Sequence, residues 1–290
     1  MFNNVNVSLT RECKRTLVDL RGKHYSDLTD LTEDELARYL KINSDLFKFY
    51  TNWYILNDGL YYFKSDFVFN ELFLSELASE FNVKCVKFML ATDGNHVGVL
   101  SKNFRKKASL YQDYLEFSKN FFAYVPENLE SFKASSYSVF GSEIGKKLVD
   151  QVFALVAFDF FSGQNDRTHI NVAFETNSTD IVKLAPICDN GVAFNTCDFD
   201  SYVSCFGNLY FPFDRYIDPR QLELLKLVRN NVSFYNSLAK AIDIDIQEIL
   251  NRTLEKYKLR MSSFEKMKLN DYFGSKKDVI ERTLSYSSKI

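Results

Sequence analysis

Hydrophobic periodicity and turn residues divide the 290-residue chain into three blocks, with no internal repeat and no low-complexity stretch. In the first, residues 1–104, Thr32 and Glu35 in LTEDELARYL form a T-x-x-E capping box, which predicts a short helix after Thr32. WYILNDGLYYFKS reads as two aromatic and β-branched strands turning at Asn57-Asp58-Gly59, with Lys64 at the end of the second. FNELFLSELASEF places Leu74, Leu77, Ala78 and Phe81 at helical spacing, and KCVKFMLATDGNHVGVLSKNF reads as a hairpin turning at Asp93-Gly94-Asn95.

The second block begins near Leu110 and reads as largely helical. Its segment LVDQVFALVAFDFF is too rich in apolar residues for a surface helix, so a buried central helix is predicted. Ser162-Gly163-Gln164-Asn165 breaks that helix and delivers Asp166 onto a loop, followed by a short hairpin near residues 170–175 and 181–187. The third block opens at Asp218-Pro219, an N-cap and first-turn proline, continues through LELLKLV, and ends with IQEILNRTLEKYKLRM as a further amphipathic helix.

Composition sharpens this picture. With 46% hydrophobic and 16% aromatic residues and only four prolines, the chain has enough apolar surface for a large core. A net charge of −2 leaves no global field for nucleic acid or anionic membrane, so neither is expected as a direct partner. The longest apolar run, residues 152–158, is far short of a membrane span, and MFNNVNVSLTRECKR lacks the apolar centre of a secretory signal; a cytoplasmic location is the default expectation. Five scattered cysteines without a C-x-x-C pair, and only three histidines (His24, His96 and His169), argue for buried free thiols rather than a zinc site, and for structural histidines.

Against this background the run of Asp166, Asn171 and Asp189 within 24 residues stands out. Singly, each is an ordinary turn residue, Lys64 an edge charge and Arg167 a structural residue bracing its loop. Together, in the order strand lysine, helix glutamate, buried helix, D-x4-N loop, hairpin and acid, they supply what phosphoryl transfer requires. A lysine meets the nucleotide phosphates and a glutamate, Glu71 or else Glu76, holds it; one carboxylate orients the attacking hydroxyl, and an amide oxygen and a second carboxylate hold magnesium.

The stretches YYFKS, NELFLSELASEF, NDRTHIN and KLAPICDNGVAF resemble the HipA-like bacterial serine/threonine kinases, including shorter relatives without the long N-terminal domain. In that family an N-D-R-H-x-x-N loop precedes an A-P-x-x-D segment. The resemblance implies an α+β, two-lobed, protein-kinase-like fold, with a small mixed N-lobe over residues 1–104 and a larger, mostly helical C-lobe over residues 105–290. It implies Asp166 as catalytic carboxylate, Lys64 as phosphate-binding lysine held by Glu71, Asn171 and Asp189 as magnesium ligands, and backbone contacts from Lys102 and Phe104 to the adenine of ATP.

The resemblance further implies transfer to a serine or threonine of a protein, autophosphorylation near Ser44, and either an antitoxin or a host protein as partner, the latter after delivery as an effector. A pseudokinase that binds ATP without turnover, and a kinase of small molecules, are the alternatives. The chain departs from the family in placing Thr168 where the histidine usually stands, with His169 one position later. Glu71 lies only seven residues beyond Lys64, and the phosphate-covering loop expected at residues 44–52 contains no glycine.

Overall fold

A computed structural model of the chain describes residues 5–23, 53–56, 59–105, 109–177, 182–194, 201–212 and 219–289. The capping box at Thr32, residues 44–52 with Ser44, the Asn57-Asp58 pair, His24, Cys197 and Asp218 lie outside the described residues.

In chain order the elements begin with β1 (Val7–Leu9), α1 (Arg11–Thr16), β2 (Val18–Asp19), β3 (Trp53–Leu56) and β4 (Gly59–Lys64). Next come α2 (Val68–Glu80), β5 (Phe88–Thr92), β6 (Val97–Lys102), β7 (Ser109–Asp113), α3 (Tyr114–Phe121) and α4 (Leu129–Ser162). A 3-10 turn, His169–Asn171, leads into β8 (Ala173–Asn177), β9 (Val182–Leu184), β10 (Ser201–Ser204) and β11 (Gly207–Tyr210). The chain closes with α5 (Pro219–Asn230), α6 (Val232–Asp243), α7 (Ile246–Lys256), β12 (Leu259–Met261) and α8 (Ser263–Ser287).

The two hairpins read from the pattern join in one five-stranded sheet ordered β2-β5-β6-β4-β3, with β5 turning into β6 through Gly94 at φ 100°. Lys64, last residue of β4, pairs with Val99 in the middle of β6, which fixes its place in the sheet. On its core side α2 buries Phe69, Leu72, Phe73, Leu74, Leu77 and Ala78, so the helix that carries Glu71 is embedded in apolar contacts. Burial of each large side chain contributes about 1.5–3 kcal/mol.

The central helix is longer than its apolar segment suggests. α4 starts at an Asn128 capping box, is kinked at Gly141, and leaves the whole run 152–158 almost fully buried. Gly163 ends it in the left-handed conformation, φ 69°, with its N–H bonded back toward Asp159 and Phe160. A side chain would be strained there, and this is what turns the chain sharply into the loop of Asp166.

Three expectations are corrected. The second block does not open as helix: Ser109–Asp113 is a strand in the three-stranded sheet β7-β8-β9, because its partner β8 lies more than 60 residues away, beyond the reach of local periodicity. The hairpin that follows Asp166 is formed by residues 173–177 and 182–184, displaced from the predicted spans because residues 169–171 form the 3-10 turn. The amphipathic helix of the third block stops at Lys256, where Lys258 takes φ 53°, and LRM becomes β12, paired with β1 at the other end of the chain.

Candidate active site

β4, α2, the loop after α4 and the segment after β9 converge on one cleft of about 430 Å³. Lys64, Glu71, Lys102, Asn103, Phe104, Asn171 and Asp189 all line it. Lys64 Nζ donates to Glu71 Oε1 at 2.7 Å and also to Asp189 Oδ1, a residue 125 positions further along the chain. Glu71 is wholly buried, and its second oxygen accepts the Asn190 N–H at 3.0 Å. The seven-residue separation of Lys64 and Glu71 therefore suffices, because α2 begins only a few residues after β4 ends. Glu76 turns the other way, to Lys256 and, at 3.6 Å, to Arg252 on α7.

The electrostatics follow from this pairing. Burial works against the Lys64 ammonium, yet Glu71 and then Asp189 more than offset it and hold the amine charged well above its ordinary range. Burial pushes the Glu71 carboxyl upward, against the pull of Lys64 and the Asn190 amide.

Asp166 does not line the cleft; it stands beside it, half-buried, and its carboxylate accepts no hydrogen bond among the described residues. Asn171 Nδ2 donates to the Asp166 carbonyl at 2.7 Å, which uses the amide's donor end and leaves its oxygen as an acceptor. Asp189, at φ 58°, is anchored by Gln164 Nε2 to its carbonyl at 2.9 Å, while its side chain stays 45% exposed. A carboxylate and an amide oxygen at one cleft are hard donors suited to a magnesium ion that keeps water and phosphate oxygens as its other ligands. Among the described residues no group of three or more histidine, cysteine, aspartate or glutamate side chains converges as a metal site.

Several residues that frame the site carried a weaker signal in the sequence. Asp159, directly after the apolar run and followed by Phe160 and Phe161, is fully buried and pairs with Arg167 at 2.8 Å, and Tyr202 donates to the same carboxylate at 3.0 Å. A lone acid in an apolar helix was the clue to it. Asn70, also buried, donates to the Gly191 carbonyl at 2.8 Å. The four described cysteines are free, as expected, but only Cys13 is buried: Cys85 and Cys205 are half-buried, and Cys188 is exposed where it lines the cleft beside Asp189.

Gly191 is required by close approach: a Cβ there would lie 2.8 Å from Phe67 Cβ and 3.0 Å from Lys64 Nζ. Gly191→Ala is expected to push the Asp189 segment away from Lys64 at a cost of about 1–3 kcal/mol. A lowered urea midpoint together with weakened nucleotide binding would bear this out, whereas unchanged values in both would refute it.

No protein-family model matches the chain, and no curated protein matches it in sequence. Among solved structures it is similar to the proinflammatory kinase CtkA of Helicobacter pylori, at 17% identity and a TM-score of 0.56, over 82% of this chain and 94% of that one. It is also similar to HipA of the Shewanella oneidensis toxin–antitoxin system, solved with HipB and operator DNA, at 11% identity and a TM-score of 0.52; the match covers 82% of this chain and 64% of HipA. The chain accordingly has the two-lobed α+β fold of these kinases, the fold of the HipA-like group that its sequence stretches resemble.

Proposed function

We propose that the chain is a kinase that moves the γ-phosphoryl group of ATP to a serine or threonine hydroxyl of a protein, with its lobes divided between residues 1–104 and 105–290. The observation that carries this reading is the meeting of Lys64, Glu71 and Asp189 at a cleft lined also by Asn171. Lys64 is the group for the phosphates, Glu71 holds it, and the backbone of Lys102 and Phe104 at the end of β6 faces the base.

Asn171 and Asp189 would hold magnesium, which when bound would offset the charge of the transferring phosphate. The Asp166 carboxylate, which accepts no hydrogen bond among the described residues, orients the acceptor hydroxyl and takes its proton. The bond between the γ-phosphorus and the bridging oxygen breaks to leave ADP, and a new phosphorus–oxygen bond forms to the acceptor. Most of the rate enhancement comes from position and charge.

A toxin-type kinase restrained by an antitoxin, or an effector acting on host proteins, each accords with one of the two structural neighbours. Among the described residues no helix is long and apolar enough to cross a membrane. Asp189→Ala is expected to weaken magnesium-dependent ATP binding at least about tenfold, since even outer-shell changes at metal sites reach that size. Calorimetry with and without magnesium reads this out, and an unchanged Mg-ATP affinity would remove Asp189 from the metal site.

A further inference from the structure

Arg167 is the largest wholly buried side chain among the described residues, and all five of its N–H groups have acceptors. Nε and Nη2 bind the Asp159 carboxylate of α4 at 3.0 and 2.8 Å. The second Nη2 hydrogen goes to Asn190 Oδ1 at 2.9 Å, and Nη1 reaches the carbonyls of Asn171 and Cys188, each at 3.4 Å. One guanidinium thus touches the backbone of Asn171 on one side and the residues before and after Asp189 on the other.

The guanidinium is itself fixed from two directions. Asp159 is held by the Tyr202 hydroxyl, and the Arg167 carbonyl accepts the Cys205 N–H at 3.0 Å, where Arg167 and Ser204 form an isolated parallel bridge. The planar fork of arginine supplies several divergent bonds with little freedom to rearrange, whereas lysine offers three donors from a single point.

We propose that Arg167 is a positioning residue that sets the spacing of Asn171 and Asp189, and thereby the affinity of the site for its divalent cation. This rests on the proposed function for the identity of the two ligands. A residue that merely stabilised the fold would affect all binding alike; a spacer acts on the metal-dependent part. Outer-shell partners that orient metal ligands change metal affinity by about tenfold to a hundredfold when replaced.

The test compares the full chain with Arg167→Lys and, as a milder change, Tyr202→Phe. Manganese binding in the presence of a non-hydrolysable ATP analogue is followed by electron paramagnetic resonance, and metal-free binding of the same analogue by calorimetry. Arg167→Lys is expected to weaken manganese binding about tenfold or more, with metal-free nucleotide affinity unchanged. In hydrogen exchange, the segments 166–171 and 187–191 should lose protection together while the middle of α4 keeps its own.

Manganese affinity equal to wild type in a folded Arg167→Lys, or equal loss of metal-free and metal-dependent binding, would overturn the proposal. If Arg167→Lys does not fold, Tyr202→Phe decides: a smaller but selective loss of manganese affinity supports the spacer and none refutes it. If the wild-type chain binds no manganese–nucleotide, the proposed function fails, and the exchange measurement alone decides whether Arg167 joins the two segments.

Discussion

Asp166→Asn is expected to lower phosphate transfer by about a hundredfold to ten-thousandfold, the range for loss of a positioned general base, while ATP affinity stays within error of wild type. The carboxylate is half-buried and accepts no hydrogen bond among the described residues, so no ion pair among them depends on its charge. Its backbone carbonyl, not its side chain, is what holds Asn171 in place at 2.7 Å. The substitution is nearly isosteric and should leave the loop and the proposed cation ligands where they are. Transfer from labelled ATP, measured alongside nucleotide titration, reads both quantities. Equal transfer by variant and wild type would take Asp166 out of the reaction; parallel loss of binding would mean that the substitution disturbs the cleft rather than the chemistry.

The largest effect on stability is expected at the buried ion pair. Asp159 and Arg167 are both wholly inaccessible, so Asp159→Ala leaves a guanidinium in the interior without its main acceptor. Breaking a buried pair from one side costs about 3–5 kcal/mol, a large share of the stability of an ordinary protein. The urea midpoint should fall accordingly. Replacing both partners, Asp159→Leu with Arg167→Met, removes the stranded charge and is expected to recover most of that loss. The double variant should nonetheless bind the metal–nucleotide more weakly than wild type, because the bonds from Arg167 to the Asn171 and Cys188 carbonyls and to Asn190 are gone. A double variant as unstable as the single one would indicate that Asp159 acts through Tyr202 and the packing of α4 instead.

Much of this arrangement was legible in the residues themselves. The hairpins around Gly59 and Gly94 announce themselves by alternation and turn chemistry, and the buried helix by a run too apolar for any surface. The glycine at its end predicts the turn that exposes Asp166. Lys64 and Glu71 were legible as a pair only through the order of elements around them, and the choice between Glu71 and Glu76 needed coordinates, since both lie on one helix.

What stayed hidden depends on distant partners. β7 and β12 exist because β8 and β1, far away in sequence, lie beside them, and no adjacent hairpin partner marks them. The roles of Asn70, Gln164 and Asn190 rest on a few hydrogen bonds, to backbone groups for Asn70 and Gln164 and to Arg167, Glu71 and Cys85 for Asn190, which no spacing rule encodes. Asp159 is the intermediate case: its oddity is visible in FALVAFDFF, but its partner, eight positions on, is identified only by the fold.

The most direct measurement is a crystal structure of the chain with magnesium and a non-hydrolysable ATP analogue. The account predicts a cation bound by the Asn171 amide oxygen and the Asp189 carboxylate at about 2.1 Å, as magnesium requires. The triphosphate should meet Lys64, and the Asp166 carboxylate should face the terminal phosphate. A nucleotide bound away from the cleft between β6 and Asp189, or a cation held without Asn171 and Asp189, would contradict it.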